Sequence, residues 1–499
     1  MFDLFTQGLT LSLTVQNMVF MFLGCTLGIV FSAIPALTFS TALILLIPLT
    51  FGLDPLPAIS VLLGVFAGGM TGGSISAILL GIPGTPSAAA TVLDGYEMTK
   101  KGQGGKALGM AIYSSVFGGL VSLLVLVLVA PQIARIAIKL GAPELFALVV
   151  FGLSTIVGLT EGSVVKGLLA GFAGLLLTTI GLDPVMGMQR YTFGYAGLMT
   201  GVGLMPVMIG MFALPEVMQS FMAASRDRNK PHEKNKQKIK ASFPNFQEIK
   251  SVFPLNLKSS LMGTFIGAIP GTGGPIASFL AYDMARRGNP KVGTGHLDGV
   301  AAPESANNGV TGGSLIPMLT LGIPGDSATA IMLGALLIHG MIPGPLLFRD
   351  NGPLVYSIFI SLSIINIMVL IIQFFGMKLF VKVLDVPKVN LMAMILVMSV
   401  VGSFAINLNF SDVIVMFLSG FLGFLMKRYG FPITPLILGL VLGLSIEANF
   451  RQSMVFSEGS LSIFLKSPVA LVFLTLALLM LVGPSLKSVY TGWKAKRAV

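Results

Sequence analysis

Charge is what this chain has least of. Charged side chains make up 10% of its 499 residues, where soluble globular domains carry about 25%, and that alone excludes an ordinary soluble globule. No lysine or arginine precedes Lys100, so the opening MFDLFTQGLT lacks a basic n-region and no cleavable signal peptide is expected. One cysteine, Cys25, excludes an intrachain disulfide. With three scattered histidines a Cys/His zinc site is not expected, nor any other resident metal.

In place of charge the chain has long apolar sequence. Ala107–Ala130, Gly194–Leu214 and Pro353–Met377 each supply the roughly 20 residues a spanning helix needs. Further runs cover Met18–Ile47, Leu145–Thr160, Gly167–Leu182, Val389–Leu408, Asp412–Met426, Ile433–Ile446 and Pro468–Val482. They do not alternate as the strands of a transmembrane barrel would. The expected fold class is an all-α polytopic membrane protein in a lipid bilayer. The net charge of +11 does not point to nucleic acid, because of where it sits. Ser225–Lys250 carries eight basic and three acidic residues, and the tail KSVYTGWKAKRAV adds four basic ones. Polar linkers and ends of that bias face the cytoplasm.

The basic segment divides two halves that match in order. Gly24 and Gly28 before IPA correspond to Gly263 and Gly267 before IPG, and TGGS recurs at an offset of 240 positions (314 − 74). GFAG at Gly171 resembles GFLG at Gly420, and LPEVMQS resembles IEANFRQS. Equivalent loops carry opposite bias in basic residues. YEMTKKGQGGK is basic where IPGPLLFRDNG is neutral, and FGLDPLP has no basic residue where YDMARRGNPK has several. That pattern predicts inverted-topology repeats with broken or re-entrant helices. Residues 1–225 form the first repeat, 226–254 a cytoplasmic linker, 255–465 the second repeat, and 466–499 a final helix and cytoplasmic tail. The N-terminus then lies outside. Lys427–Arg428 and Lys378–Lys382 fall outside this scheme.

Within each half, TGGS leads into GIPG: TGGSISAILLGIPGT from Thr71 and TGGSLIPMLTLGIPGD from Thr311. A glycine costs a helix interior about 1 kcal/mol relative to alanine, and a proline about 3. In hydrocarbon such breaks survive only buried in protein or lining a wet cavity. Thr85 and Asp326 suit N-cap positions and Pro86 the first helical position. Each element would thus aim free N–H groups and a positive dipole end inward, a site for an anion. Paired interrupted helices at corresponding points of two halves mark the binding site of a transporter. A lone GxxxG such as Gly24–Gly28 reads instead as close helix packing.

The candidate substrate-binding residues are Thr71, Gly72, Gly73, Ser74, Gly81, Pro83, Gly84, Thr85 and Ser87 in the first half. In the second they are Pro270, Gly271, Thr272, Asn307, Asn308, Thr311, Gly312, Gly313, Ser314, Pro324, Gly325, Asp326 and Ser327. Asn307 and Asn308 can donate and accept at a carboxylate or offer oxygen to a cation. Glu304 and Asp298 bring charge near the membrane, where ionisable residues are functional candidates; Asp298 reads equally as solvated loop. Asp94, Glu97, Glu161, Glu216 and Glu447 read as solvated loop or end residues, His339 as packed or hydrogen-bonded. The YEMTKKG and YDMARRG tracts read as membrane-edge anchors or a docking surface for a partner subunit. No catalytic residue is expected. An aspartyl enzyme using Asp283, Asp298 or Asp326 would need two opposed carboxylates, and Thr85 stands where a partner to Asp326 would be. A passive channel remains a third reading, without a charged selectivity ring to support it.

Three stretches, GIPGTPSAAATVLDGYEMTKKG, GAIPGTGGPIASFLAYDMARRG and GVAAPESANNGVTGGSLIPMLTLGIPGDSATAIMLGALLIHGMIPGP, resemble the large membrane subunit of tripartite tricarboxylate transporters, the TctA family. The likeness runs from about Gly24 to Arg451. One departure is Ala36 in SAIPALTFS, where the pattern puts a glycine. The resemblance implies a secondary transporter of the bacterial inner membrane. Its partners would be a small membrane subunit (TctB type) and a periplasmic solute-binding protein (TctC type) that delivers a citrate-like carboxylate. Uptake would be driven by a sodium or proton gradient, with Na+ as a possible coupling ion and no other cofactor. The absence of a G-x-x-x-x-G-K-[ST] loop agrees with transport that does not use ATP.

Overall fold

The computed structural model describes residues 2–34, 37–154, 163–183, 187–226, 242–383 and 388–481. Glu161, Pro35–Ala36, most of the basic linker and the basic tail lie outside them. The chain is an all-α polytopic membrane protein. Its helices are α1 (Phe2–Ser12), α2 (Val15–Ala33), α3 (Phe39–Thr50), α4 (Pro55–Leu80), α5 (Ala89–Lys100), α6 (Gly104–Ala137), α7 (Ala142–Ser154), α8 (Val164–Thr178), α9 (Leu204–Arg226) and α10 (Phe246–Ala268). They continue as α11 (Gly273–Gly288), α12 (Asp298–Leu321), α13 (Ser327–Ile338), α14 (Pro345–Asp350), α15 (Gly352–Val383), α16 (Lys388–Asn407), α17 (Phe410–Arg428), α18 (Ile433–Phe456), α19 (Ile463–Lys466) and α20 (Pro468–Leu481). Among the described residues six helices are long and apolar enough to cross a membrane. The expected span Gly194–Leu214 is not one of them. Its first part is irregular, with positive φ at Gly194 and Gly201, and helix begins only at Leu204.

Two compact units emerge, residues 1–135 with 212–413, and residues 136–211 with 414–499. Each draws on both halves of the sequence. In the first, α2 crosses α4 and α10 crosses α12 with backbones nearly touching. A Cβ at Gly24 would lie 2.2 Å from the Val61 carbonyl oxygen, and one at Gly263 2.1 Å from that of Ala306. Both GxxxG pairs are therefore close-packing devices. Glycine plays the same part in the second unit, where a Cβ at Gly174 of α8 would lie 2.0 Å from the Leu436 oxygen of α18.

The second unit also carries a two-stranded ribbon, Gly181–Leu182 against Gln189–Arg190. An ion cluster ties it to α18. Arg190 meets Glu447 at 2.7 Å, and Arg451 meets Asp183 at 2.8 Å and Glu447 at 2.6 Å. Glu447 is thus a partner in a charge network and not the solvated end residue expected from sequence.

The two helices that carry TGGS are wrapped by the rest of their unit. In α4, 26 residues and about 39 Å long, every residue from Leu56 to Leu79 is buried. The same holds for α12 from Gly299 to Thr320, despite Pro303, Glu304, Asn307, Asn308 and Pro317. The polar, glycine-rich sequence before the second TGGS is therefore the first half of a buried helix.

Candidate functional site

Both TGGS motifs lie inside continuous helix, and the break comes later, at GIPG. α4 ends where Gly81 takes a left-handed conformation (φ 70°, ψ 16°), and α12 ends the same way at Gly322 (φ 69°, ψ 21°). Only glycine adopts that geometry without strain, and it is the usual helix stop. After α4 the chain turns back on its own helix, and after α12 it bonds the turn between α10 and α11. The Gly84 N–H donates to the Gly73 carbonyl at 3.2 Å, and the Gly325 carbonyl accepts from the Gly271 N–H at 2.8 Å. Pro83 and Pro324 sit in these returning segments. A short 3-10 turn, Pro86–Ala88, then feeds α5, while α13 follows Asp326 directly.

The two helix starts are finished differently. Asp326 caps α13, accepting from the Thr329 N–H at 2.8 Å while the Thr329 hydroxyl accepts from the Asp326 N–H at 2.9 Å. Its carboxylate thus occupies the anion position at that N-terminus. Thr85 holds the N-cap position before Pro86 but makes no cap hydrogen bond; its hydroxyl lies 3.2 Å from that of Ser87. Thr272, before α11, makes none either. Its hydroxyl turns back to the carbonyls of Ile266 and Ile269.

Four elements of the first unit converge beside these starts. Asn308 of α12 accepts from the Thr71 hydroxyl of α4 at 3.0 Å and donates to the Glu304 carbonyl at 3.2 Å. Asn307 donates to the Met70 carbonyl at 2.8 Å. Its own amide oxygen is fully buried and has no hydrogen-bond partner. A Cβ added at Gly274, in the first turn of α11, would lie 2.9 Å from that oxygen and 2.9 Å from the Ser87 Cβ. One at neighbouring Gly273 would lie 4.0 Å from the Asp326 Cβ. The structure therefore brings together Thr71, Ser87, Asn307, Asn308 and Asp326, and the sequence reading missed Met70, Gly273 and Gly274. Half of a GTGG run was singled out at Gly271; the other half makes the closest approach.

The remaining candidates do other work. Gly72 admits the Ile29 backbone, Gly312 that of Ser122 and Gly313 that of Thr264, with hypothetical Cβ distances of 2.2–2.7 Å. The hydroxyls of Ser74, Thr311 and Ser314 donate to carbonyls three residues back, at 2.7, 2.6 and 3.4 Å. Pro270 and Gly271 form the turn between α10 and α11, and Ser327 opens α13.

Asp94 overturns its sequence reading. It is fully buried, and the loop before α12 wraps it with backbone N–H groups: Gly293 at 2.8 Å, Gly295 at 2.6 Å and His296 at 2.8 Å. The Tyr282 hydroxyl adds a fourth donor at 2.9 Å, so this tyrosine is a buried partner and not a membrane-edge anchor. Asp298 accepts from the Asn289 amide at 2.8 Å, Asp283 pairs with Arg287 and Glu97 with Lys100 at the surface, and His339 bonds the Thr50 hydroxyl.

The family described as the tripartite tricarboxylate transporter TctA family matches residues 18–438. A protein of Agrobacterium vitis, described as an uncharacterized 52.8 kDa protein in the TAR-I ttuC' 3' region, is 35% identical over 485 residues, 97% of this chain and 96% of its own. Another from that organism, described as an uncharacterized protein in the TAR-II ttuC' 3' region, is 36% identical over 230 residues, 46% of this chain and 95% of its own. No solved structure matches the chain significantly.

Proposed function

Given that the chain belongs to the tripartite tricarboxylate transporter TctA family, we propose that it is the permease subunit for gradient-driven uptake of a citrate-like di- or tricarboxylate across a bacterial inner membrane. A small membrane subunit and a periplasmic binding protein complete the system. The observation that carries the reading is the convergence at Gly274. There the uncapped start of α11 meets Ser87, beside the other uncapped start, and the unpartnered oxygen of Asn307. Unsatisfied first-turn amides favour a carboxylate, and the amide oxygen favours a donor on the same solute. Asp326 fills the third start, so the anion is received at α11 and beside Ser87.

Proteoliposomes holding the complex, with binding protein and radiolabelled citrate outside, should accumulate label only under an imposed sodium or proton gradient. Label accumulating without any gradient would refute coupled transport. Gly274→Ala should remove uptake while leaving the protein folded, since its Cβ enters the junction; full uptake in a folded variant would move the solute elsewhere.

The halves are taken as inverted repeats with the N-terminus periplasmic and the linker and tail cytoplasmic. Cys25 is buried, so introduced cysteines report cleanly. Gln103→Cys should be labelled from the cytoplasmic side and Asn351→Cys from the other. Labelling of both from one side would end the inverted scheme.

A further inference from the structure

Among its described residues the first unit encloses two carboxyl groups without solvent contact, Asp94 and Glu304, and supports them in opposite ways. Asp94 sits in a cup of three backbone N–H groups and a tyrosine hydroxyl, an arrangement that stabilises a full negative charge. Glu304 receives only two hydroxyls, Thr91 of α5 at 2.6 Å and Ser115 of α6 at 2.9 Å. No charged side chain faces it among the described residues. α4, α13 and the Pro86–Ala88 turn carry no ionisable group. On α5, Asp94 is held in its cup and Glu97 pairs with Lys100. On α6, Lys106 pairs with Glu248 of α10, and Tyr113 lies against Phe117 and Phe243. Lys250 and Lys258 of α10 and Arg286 of α11 are exposed, Tyr282 serves Asp94, Asp283 pairs with Arg287, and Arg349 of α14 with Asp350. Asp298, at the start of the same helix as Glu304, is taken by Asn289.

A lone carboxylate in such an interior costs several kcal/mol unless a positive charge neutralises it. The described residues supply none, so the charge must come from outside them. A metal cation demands a shell of several oxygen ligands, and only two hydroxyls reach this carboxyl. We propose that Glu304 is a carrier of the proton that drives transport, an inference that rests on the transport reading above. When movement of the surrounding helices admits water to the carboxyl, a hydronium ion gives its proton to a carboxylate oxygen and leaves as water. The resulting acid donates to one of the two hydroxyls, which turns its own hydrogen to a carbonyl one turn back in its helix, an ordinary serine or threonine contact. Release returns the proton to water and restores both hydroxyl donors. Glu304 is connected to the site it would drive. Its carbonyl is bonded to Asn308, which holds Thr71, and Thr91 belongs to the helix that follows the first GIPG. Displacement of α5 would remove one donor from Glu304.

Two measurements test this. In acid-minus-base infrared difference spectra of the purified full-length protein, one protonated-carboxyl component, at the high frequency of an acid shielded from water, should be present in wild type and missing from the carboxyl bands that remain in Glu304→Gln. In proteoliposomes of the complex with binding protein, Glu304→Gln should lose uptake driven by a pH gradient, down to the level of protein-free vesicles, while keeping gradient-free exchange of labelled for unlabelled citrate. Glu304→Asp, which restores the acid, should recover part of the pH-driven uptake. An unchanged infrared band, full pH-driven uptake in the glutamine variant, or wild-type uptake that responds to sodium and never to pH would each overturn the proposal. Failure of wild type even to exchange citrate would sink the transport reading instead, and the infrared result would still judge Glu304.

Discussion

The first and second TGGS–GIPG elements follow one backbone path with different polar contents. Both run through a wholly buried helix, stop at a left-handed glycine with φ within a degree of the other (70° and 69°), and fold back through a proline. Yet the polar side chains of α4 are hydroxyls only while α12 carries Glu304, Asn307 and Asn308, and the second return ends on a carboxylate cap while the first ends on a threonine that caps no backbone amide. The backbone break is what the two elements share, because it depends on glycine and proline alone. The polar groups have become unequal, so that one copy supplies an open helix start and the other supplies the side chains that face it. The site proposed at these helix starts would be asymmetric although the backbone break recurs.

The comparison breaks most sharply at the glycine closing each return. A Cβ at Gly84 would lie 1.9 Å from the Ser32 carbonyl oxygen, while one at Gly325 would lie 2.7 Å from that of Gly267 and 2.7 Å from the Ser314 Cβ. Backbone cannot move aside as a side chain does. Gly84→Ala should therefore destabilise the protein by roughly 3 kcal/mol and Gly325→Ala by about 1–2 kcal/mol, read as the order of thermal unfolding midpoints in detergent. Equal midpoints would mean that the first return is as yielding as the second.

What could be read from sequence was whatever is decided locally. The helix stops at Gly81 and Gly322 and the cap at Asp326 follow from chemistry within a few residues, and they lie where glycine, proline and cap preferences put them. The GxxxG crossings were legible for the same reason. What escaped depends on partners far along the chain. Asp94 looked solvated because its donors are about two hundred residues away, at Gly293, Gly295 and His296. Asp298, at the start of α12, read equally as solvated loop because the sequence around it is polar, and only the surrounding helices make that sequence an interior helix. Gly194–Leu214 looked like a span because apolar composition hid two left-handed glycines, Gly194 and Gly201. Of the candidate site, the motif glycines stand out in the sequence, but Gly72, Gly312 and Gly313 serve packing, and the close approach to Asn307 falls at Gly274, three residues beyond the Gly271 that the motif marks.

A smaller effect sharpens the difference between the two returns. Asp326→Ala removes a cap that serves the first turn of α13 and should cost about 1 kcal/mol. Asp326→Asn keeps the accepting oxygen and should recover most of that loss. Thr85→Val deletes a hydroxyl on which no backbone amide depends, since its partner is the hydroxyl of Ser87, and should cost less than Asp326→Ala. Unfolding midpoints of the three variants, measured in the same detergent, give the ranking directly. If Thr85→Val proved as damaging as Asp326→Ala, the first helix start would be capped after all. The opening assigned to the carboxylate beside Ser87 would then already be filled by the protein, leaving α11 alone to receive it.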